Sequence, residues 1–188
     1  LTIADYDREK GTVTIIFQKV GLSTKLLAAK EIGDTIQDFV GPLGVATEYD
    51  GMKKVAVVGG GVGCAIAYPQ AKSLHAEGIQ VDVIAGFRSK DIVILEDEMN
   101  AVATNYYLMT DDGSQGEKGF VTDKLKALIE AGNSYDAVIA IGPIPMMKFV
   151  SLTTKPFGIK TIVSLNPIMI DGTGMCGGCR VTVGGKIK

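Results

Sequence analysis

Residues 53–78 read KKVAVVGGGVGCAIAYPQAKSLHAEG, and the order of events in that stretch decides the fold. Val55 to Val58 form a short apolar run closed by glycines, the pattern of a strand buried on both faces of a parallel sheet. Past Gly63 the spacing changes: Ile66, Ala67, Ala71 and Leu74 recur with a helical period, and Gly78 stops the helix. Pro69 falls in its early turns, where proline costs less than in the middle. A strand, a glycine turn and a helix in succession make the first half of a βαβ unit.

The pattern repeats downstream. IQVDVIAGF (79–87) reads as a second strand, and ATNYYLMT (103–110) as a third after a short irregular helix. FVTDKLKALIEAG (120–132) is an amphipathic helix with Val121, Leu125, Leu128 and Ile129 on one face. YDAVIAIG (135–142) is a strand, PIPMMKFVSLTT (143–154) a helix, and KTIVSL (160–165) a last strand. Strands alternating with helices predict a doubly wound α/β domain, a parallel sheet with helices on both faces. The first 45 or so residues differ. GTVTIIFQKV (11–20) alternates like an antiparallel strand and GDTIQDFVGPLG (33–44) closes with turn signals. They read as the tail of a β-rich domain. The expected division is 1–48, 49–166 and a glycine-rich 167–188 without helix.

Gly59, Gly60, Gly61, Val62 and Gly63 sit between the first strand and its helix, where parallel-sheet proteins bind phosphates. Glycine lets backbone approach an anion, and the helix N-terminus offers N–H groups and a positive dipole end. The spacing is not GxGxxG, because Cys64 stands in the third glycine position, and no Walker lysine follows. A tight turn without ligand is the bland alternative. Cys64 reads as small buried packing. The second strand ends in AGFRSKD (85–91), where Arg88 and Ser89 would flank an adenosine ribose. Basic and hydroxyl groups suit a 2′-phosphate, and Asp91 keeps a free ribose in play.

The composition narrows the class. The chain has 188 residues, 46% apolar, with a net charge of −2 and its Lys and Arg spread rather than clustered, which disfavours nucleic acid. No apolar run reaches the ~18 residues of a membrane span. Three cysteines and one histidine make no disulfide framework and point to a reducing cytoplasm. His75 reads as a surface residue outside any nucleophilic constellation, and the acidic run EDEM (96–99) as a solvated helix face.

The glycine-rich end carries IDGTGMCGGCRVTVGGKIK (170–188), with Cys176 and Cys179 two residues apart. Half a zinc site, a redox CxxC, an iron–sulfur loop and two incidental cysteines are the competing readings. Zinc needs four ligands, and only Cys64 and His75 remain to supply them. A redox CxxC normally opens a helix, whereas β-prone RVTV follows Cys179.

Taken together, these stretches resemble the ferredoxin–NADP reductase superfamily over essentially the whole chain. LTIAD, with Thr2, resembles the end of its flavin-binding stretch, whose preceding Arg and Pro would lie before Leu1. VGLSTKLL resembles the turn and helix start that hold the FAD pyrophosphate, which implies Gly21, Ser23 and Thr24. VGPLG resembles the link into the nucleotide domain. IGPIPMM resembles the segment reaching the nicotinamide through Gly142, Pro143 and Met146. TDDGSQGEKGFVTDKL, with Asp112, and SLNPIMIDGTGMCGGCRV narrow the match to small FAD and 2Fe–2S subunits of bacterial and archaeal electron-transfer complexes. The alpha subunits of NADH-dependent ferredoxin:NADP+ oxidoreductase, also called sulfide dehydrogenase beta subunits, resemble it most. Dihydroorotate dehydrogenase electron-transfer subunits are near relatives whose cluster uses four cysteines.

The resemblance implies NAD(P), FAD and a 2Fe–2S cluster. Plant-type 2Fe–2S loops space their ligands C-x4-C-x2-C; Asp171, Cys176 and Cys179 occupy those three positions, and a fourth ligand would follow Lys188. It implies hydride exchange between NAD(P)H and FAD with no acid–base side chain, then single electrons through the cluster. The implied partner is a large flavoprotein subunit with 4Fe–4S clusters, with ferredoxin as a further one. The rivals are a dihydroorotate dehydrogenase or hydrogenase electron-transfer subunit and a non-catalytic nucleotide-binding module.

Overall fold

In the computed structural model, residues 1, 3–165, 168 and 170–188 are described, and they form two compact units. The first comprises Leu1–Gln18 with Tyr49–Ser164, the second Lys19–Glu48 with Leu165–Lys188. The elements in chain order are β1 (Ile3–Asp7), β2 (Thr12–Ile15), α1 (Leu22–Leu27), β3 (Lys54–Gly60), α2 (Cys64–Ala76) and β4 (Gln80–Phe87). There follow α3 (Glu96–Val102), β5 (Asn105–Thr110), β6 (Glu117–Lys118), α4 (Val121–Glu130), β7 (Ala137–Ile141), α5 (Ile144–Thr154), β8 (Lys160–Val163), β9 (Thr182–Val183) and β10 (Lys186–Ile187).

The first unit is the expected doubly wound domain. Its six strands are all parallel, in the order β6-β5-β4-β3-β7-β8. The chain moves outward from β3 through β4 and β5, then returns to β3's other side at β7. One face of the sheet buries Val55, Val57, Val81 and Val83 against Cys64, Ala67, Ala71 and Leu74 of α2 and Met99 of α3. The other buries Ala56, Val58, Ile84 and Val138 against Val121, Leu125 and Ile129 of α4 and Met147 and Val150 of α5. Side chains alternate between faces along each strand, so β3 feeds both cores and is buried from Val55 to Gly60.

Two extra features complete this unit. β1 and β2 pair antiparallel, and the hairpin is held to α2 by Lys72, whose ammonium donates to Asp5 Oδ1 at 2.6 Å. The same ammonium lies 5.5 and 5.8 Å from the ring centroids of Tyr6 and Tyr68. A charge held between two rings and a carboxylate keeps its partners while remaining near solvent. Asp82, fully buried on β4, accepts from Tyr135 (2.7 Å) and Asn105 (2.7 Å) and lies 3.2 Å from the Lys54 ammonium.

In the second unit the tail after Cys179 forms a short hairpin. Gly184 and Gly185 adopt left-handed φ of +57° and +77°, the geometry of a two-residue hairpin turn, and fold β10 back onto β9. Among the described residues no helix is long and apolar enough to cross a membrane.

Candidate nucleotide and cluster sites

β3 delivers its glycines to the C-terminal edge of the sheet, beside β7, at the point where the strand order reverses. Open α/β sheets hold ligands in the crevice at such a switch point. The turn runs from β3 through a 3₁₀ segment, Gly61–Gly63, directly into α2. Gly61 takes the left-handed φ of +54°. The first turn of α2 carries no acidic side chain, so the positive end of the helix faces the turn without an opposing carboxylate.

Three glycines let two loops interlock. A methyl group on Gly63 would lie 2.5 Å from the Ile141 carbonyl oxygen and 2.8 Å from Gly142 Cα. One on Gly142 would lie 3.1 Å from Gly60 N and Cα, and one on Gly60 would strike Met146 Sδ, with Pro143 Cδ 3.1 Å away. The structure therefore brings Gly60, Gly63, Gly142, Pro143 and Met146 together. Cys64 begins α2 with its side chain fully buried. A Cβ on Gly59 would be 2.7 Å from its sulfur. Burial pushes the Cys64 thiol up to about 12, so it is packing and not a nucleophile.

At the next strands outward, the loops after β4 and β5 are joined. Asp112 N–H donates to the Arg88 carbonyl at 3.3 Å. Lys90 N–H donates to Ser114 Oγ at 2.8 Å, and Ser114 donates to Asp112 Oδ1 from its hydroxyl (2.6 Å) and its N–H (2.9 Å). Those Ser114 bonds hold the Asp112 carboxyl below the ordinary carboxylate range. Arg88 is exposed and Ser89 half-buried; the guanidinium has no carboxylate partner among the described residues. Ser114 and Gly86 are site-shaping residues that sequence reasoning missed. The D-x-S spacing was a signal for the side-chain turn at Asp112. A lone glycine inside a strand signals close approach, and a Cβ on Gly86 would strike Val121.

The remaining candidates lie in the second unit, except Thr2, which falls outside the described residues. Gly21 precedes α1. The Thr24 hydroxyl accepts from the N–H groups of Val20 and Gly21 at 3.0 and 2.9 Å and donates to the Gly21 carbonyl. Ser23 is exposed beside it.

Asp171, Cys176 and Cys179 are exposed on one loop. Asp171 accepts from the N–H of Thr173 through Oδ1 and of Cys176 through Oδ2, both at 3.0 Å. Gly178 N–H donates to Cys176 Sγ at 3.4 Å, the type of bond that tunes cluster sulfurs. A carboxylate and two thiols are donors that suit ferric iron. Among the described residues no three His, Cys, Asp or Glu side chains gather closely enough to hold a metal ion. Donor chemistry fits an iron–sulfur group; the donors are not drawn into one ligand set.

Comparison with known proteins bears on the whole arrangement. The family described as the oxidoreductase NAD-binding domain matches residues 57–152. A homologue of the dihydroorotate dehydrogenase B (NAD(+)) electron transfer subunit from Thermotoga maritima is 47% identical over the full chain, which spans 66% of that protein. The electron transfer subunit of the Fusobacterium nucleatum enzyme is 38% identical across 95% of this chain and 69% of its own. A solved structure of NADH-dependent reduced ferredoxin-NADP oxidoreductase, described for flavin-based electron bifurcation, matches with a TM-score of 0.91 and 44% identity. It covers all of this chain and 67% of its own.

Proposed function

Since the chain belongs to the oxidoreductase NAD-binding domain family, within the ferredoxin–NADP reductase superfamily, we propose that it forms part of an electron-transfer flavoprotein subunit of ferredoxin:NADP+ oxidoreductase type. The observation that carries this reading is the interlocked glycine turn at the switch point, Gly60 and Gly63 against Gly142 and Met146. It sits on a chain 44% identical to a solved ferredoxin-NADP oxidoreductase.

In this reading Gly59 to Gly63 receive the dinucleotide pyrophosphate on backbone N–H groups at the start of α2. Arg88, Ser89 and Asp112 flank the adenosine ribose. Gly142, Pro143 and Met146 shape the nicotinamide pocket and keep water from its reacting face. Residues 1–48 are the end of a flavin-binding barrel in which Thr2, Gly21, Ser23 and Thr24 hold FAD, 49–166 bind NAD(P), and 167–188 hold a 2Fe–2S cluster through Asp171, Cys176 and Cys179. Bound flavin and cluster would supply the conversion of hydride into single electrons. No protein side chain needs to donate or take a proton in the hydride step. The partner is a large flavoprotein subunit with 4Fe–4S clusters, with ferredoxin as a further one, in the cytoplasm.

The relatives named for dihydroorotate dehydrogenase B support a second choice of partner. Asp171 favours the first choice, because the resemblance implies four cysteine ligands in the dihydroorotate-linked subunits and an Asp in the first of these positions here. The test is Asp171→Ala and Asp171→Cys in the full-length protein. Loss of iron and labile sulfide in the first, and a retained cluster with a shifted potential in the second, are expected. Unchanged cluster content and spectrum in Asp171→Ala would refute the ligand assignment.

A further inference from the structure

α5 is apolar on two sides. Met147 and Val150 are buried against the sheet, whereas Phe149 and Leu152, one turn apart, are 57% and 51% exposed. With Thr153, with Pro156 and Phe157 of the 3₁₀ turn that follows, and with Lys126 of α4, they line a groove of about 370 Å³. A surface helix normally turns polar residues to water, and apolar side chains grouped around a concavity mark a binding surface. Three lysines stand in the lining or next to it in sequence, against one nearby acid, Glu130. Lys126, Lys148 and Lys155 are exposed, and residues 144–157 contain no Asp or Glu. Lys126 meets Glu130 only at 3.8 Å, an exposed pair of little strength. Lys148 and Lys155 form no ion pair among the described residues. This cationic face runs against the chain's net charge of −2.

We propose that the groove seats a segment of a partner protein that inserts an apolar side chain and flanks it with Asp or Glu. The complementary charge selects that occupant. A second copy packed about a two-fold axis would set lysines against lysines. A lipid surface is disfavoured because three lysines fall short of the roughly four to eight of a polybasic lipid site. The inference rests on the electron-transfer reading only in that such a subunit has a partner; it adds where that partner docks.

The test uses the full-length protein purified with its accompanying subunits. A carbodiimide, which joins amines to carboxylates in direct contact, should link Lys126, Lys148 or Lys155 to Asp or Glu of a different polypeptide. Phe149→Ser with Leu152→Ser should weaken that association about tenfold or more, with an unchanged circular dichroism spectrum and unchanged flavin reduction by NAD(P)H. Lys126→Glu with Lys148→Glu and Lys155→Glu should weaken it most at low salt. Links confined to this chain or to a second copy, a protein that purifies alone, or wild-type association by both variants would overturn the proposal. So would groove-dependent binding to phosphatidylcholine–phosphatidylserine vesicles in place of protein. Failure of flavin reduction in the wild type would overturn the electron-transfer reading and leave the cross-links to decide the docking.

Discussion

Gly63 packs against the backbone of Ile141, and a methyl group on it would sit 2.5 Å from the Ile141 carbonyl oxygen. Its own φ of −60° suits any residue, so sterics alone demand glycine. Gly63→Ala should destabilise the domain by about 1–3 kcal/mol through overpacking and weaken dinucleotide binding. Gly61→Ala meets nothing within 4 Å but takes a φ of +54°, so its cost is backbone strain of about 1–2 kcal/mol. Urea unfolding measures both. A neutral Gly63→Ala would contradict the interlocked loops.

Cys64 should be silent to alkylation. Its thiol is fully buried and pushed up to about 12, whereas Cys176 and Cys179 are exposed. In metal-free protein at pH 8, iodoacetamide followed by mass spectrometry should label the last two and spare Cys64 until the chain unfolds. Labelling of Cys64 in the native state would show that α2 does not cover it.

Asp82 is the polar centre of the sheet's opposite end, with Tyr135, Asn105 and Lys54 all directed at it. Asp82→Ala removes the acceptor shared by buried Tyr135, half-buried Lys54 and exposed Asn105, and should cost about 1–3 kcal/mol in chemical denaturation. A loss below about 1 kcal/mol would mean that water replaces the carboxylate.

The cysteine loop should respond to acid only late. Backbone N–H groups of Thr173 and Cys176 hold the Asp171 carboxyl below its ordinary 3.8. A depressed native value contributes order that is present above the unfolded value and lost as pH falls through the native one. The Thr173 and Cys176 amide resonances of the metal-free chain should therefore titrate with a midpoint below 3.8. A midpoint at or above 3.8 would show that these bonds do not form.

The doubly wound sheet was legible because its strands are buried on both faces and read as unbroken apolar runs, as in Val55–Val58 and Ala137–Ile141. α4 was legible from the spacing of Val121, Leu125 and Ile129. β6 was not: two charged residues, Glu117 and Lys118, carry no alternation and are strand only because they pair with Met109 and Thr110. At the site, the glycine turn announced itself between a strand and a helix. The Lys90–Ser114–Asp112 chain of bonds did not, since it exists only once β5 lies beside β4. The tail shows a local signal passed over, for Gly184–Gly185 between β-prone residues marks a hairpin. The exposed apolar face of α5 also escaped, because sequence spacing shows that a helix is apolar without showing how many sides are covered.

The central claim is that this chain's glycine turn delivers a dinucleotide to a flavin in an electron-transfer subunit. Anaerobic absorption spectroscopy of the full-length protein, titrated with NADH and with NADPH, tests it most directly. Flavin bands that bleach with one of the two cofactors in the wild type and persist in Gly63→Val are predicted. A full-length protein without flavin absorbance, or flavin that neither cofactor reduces, would contradict the account.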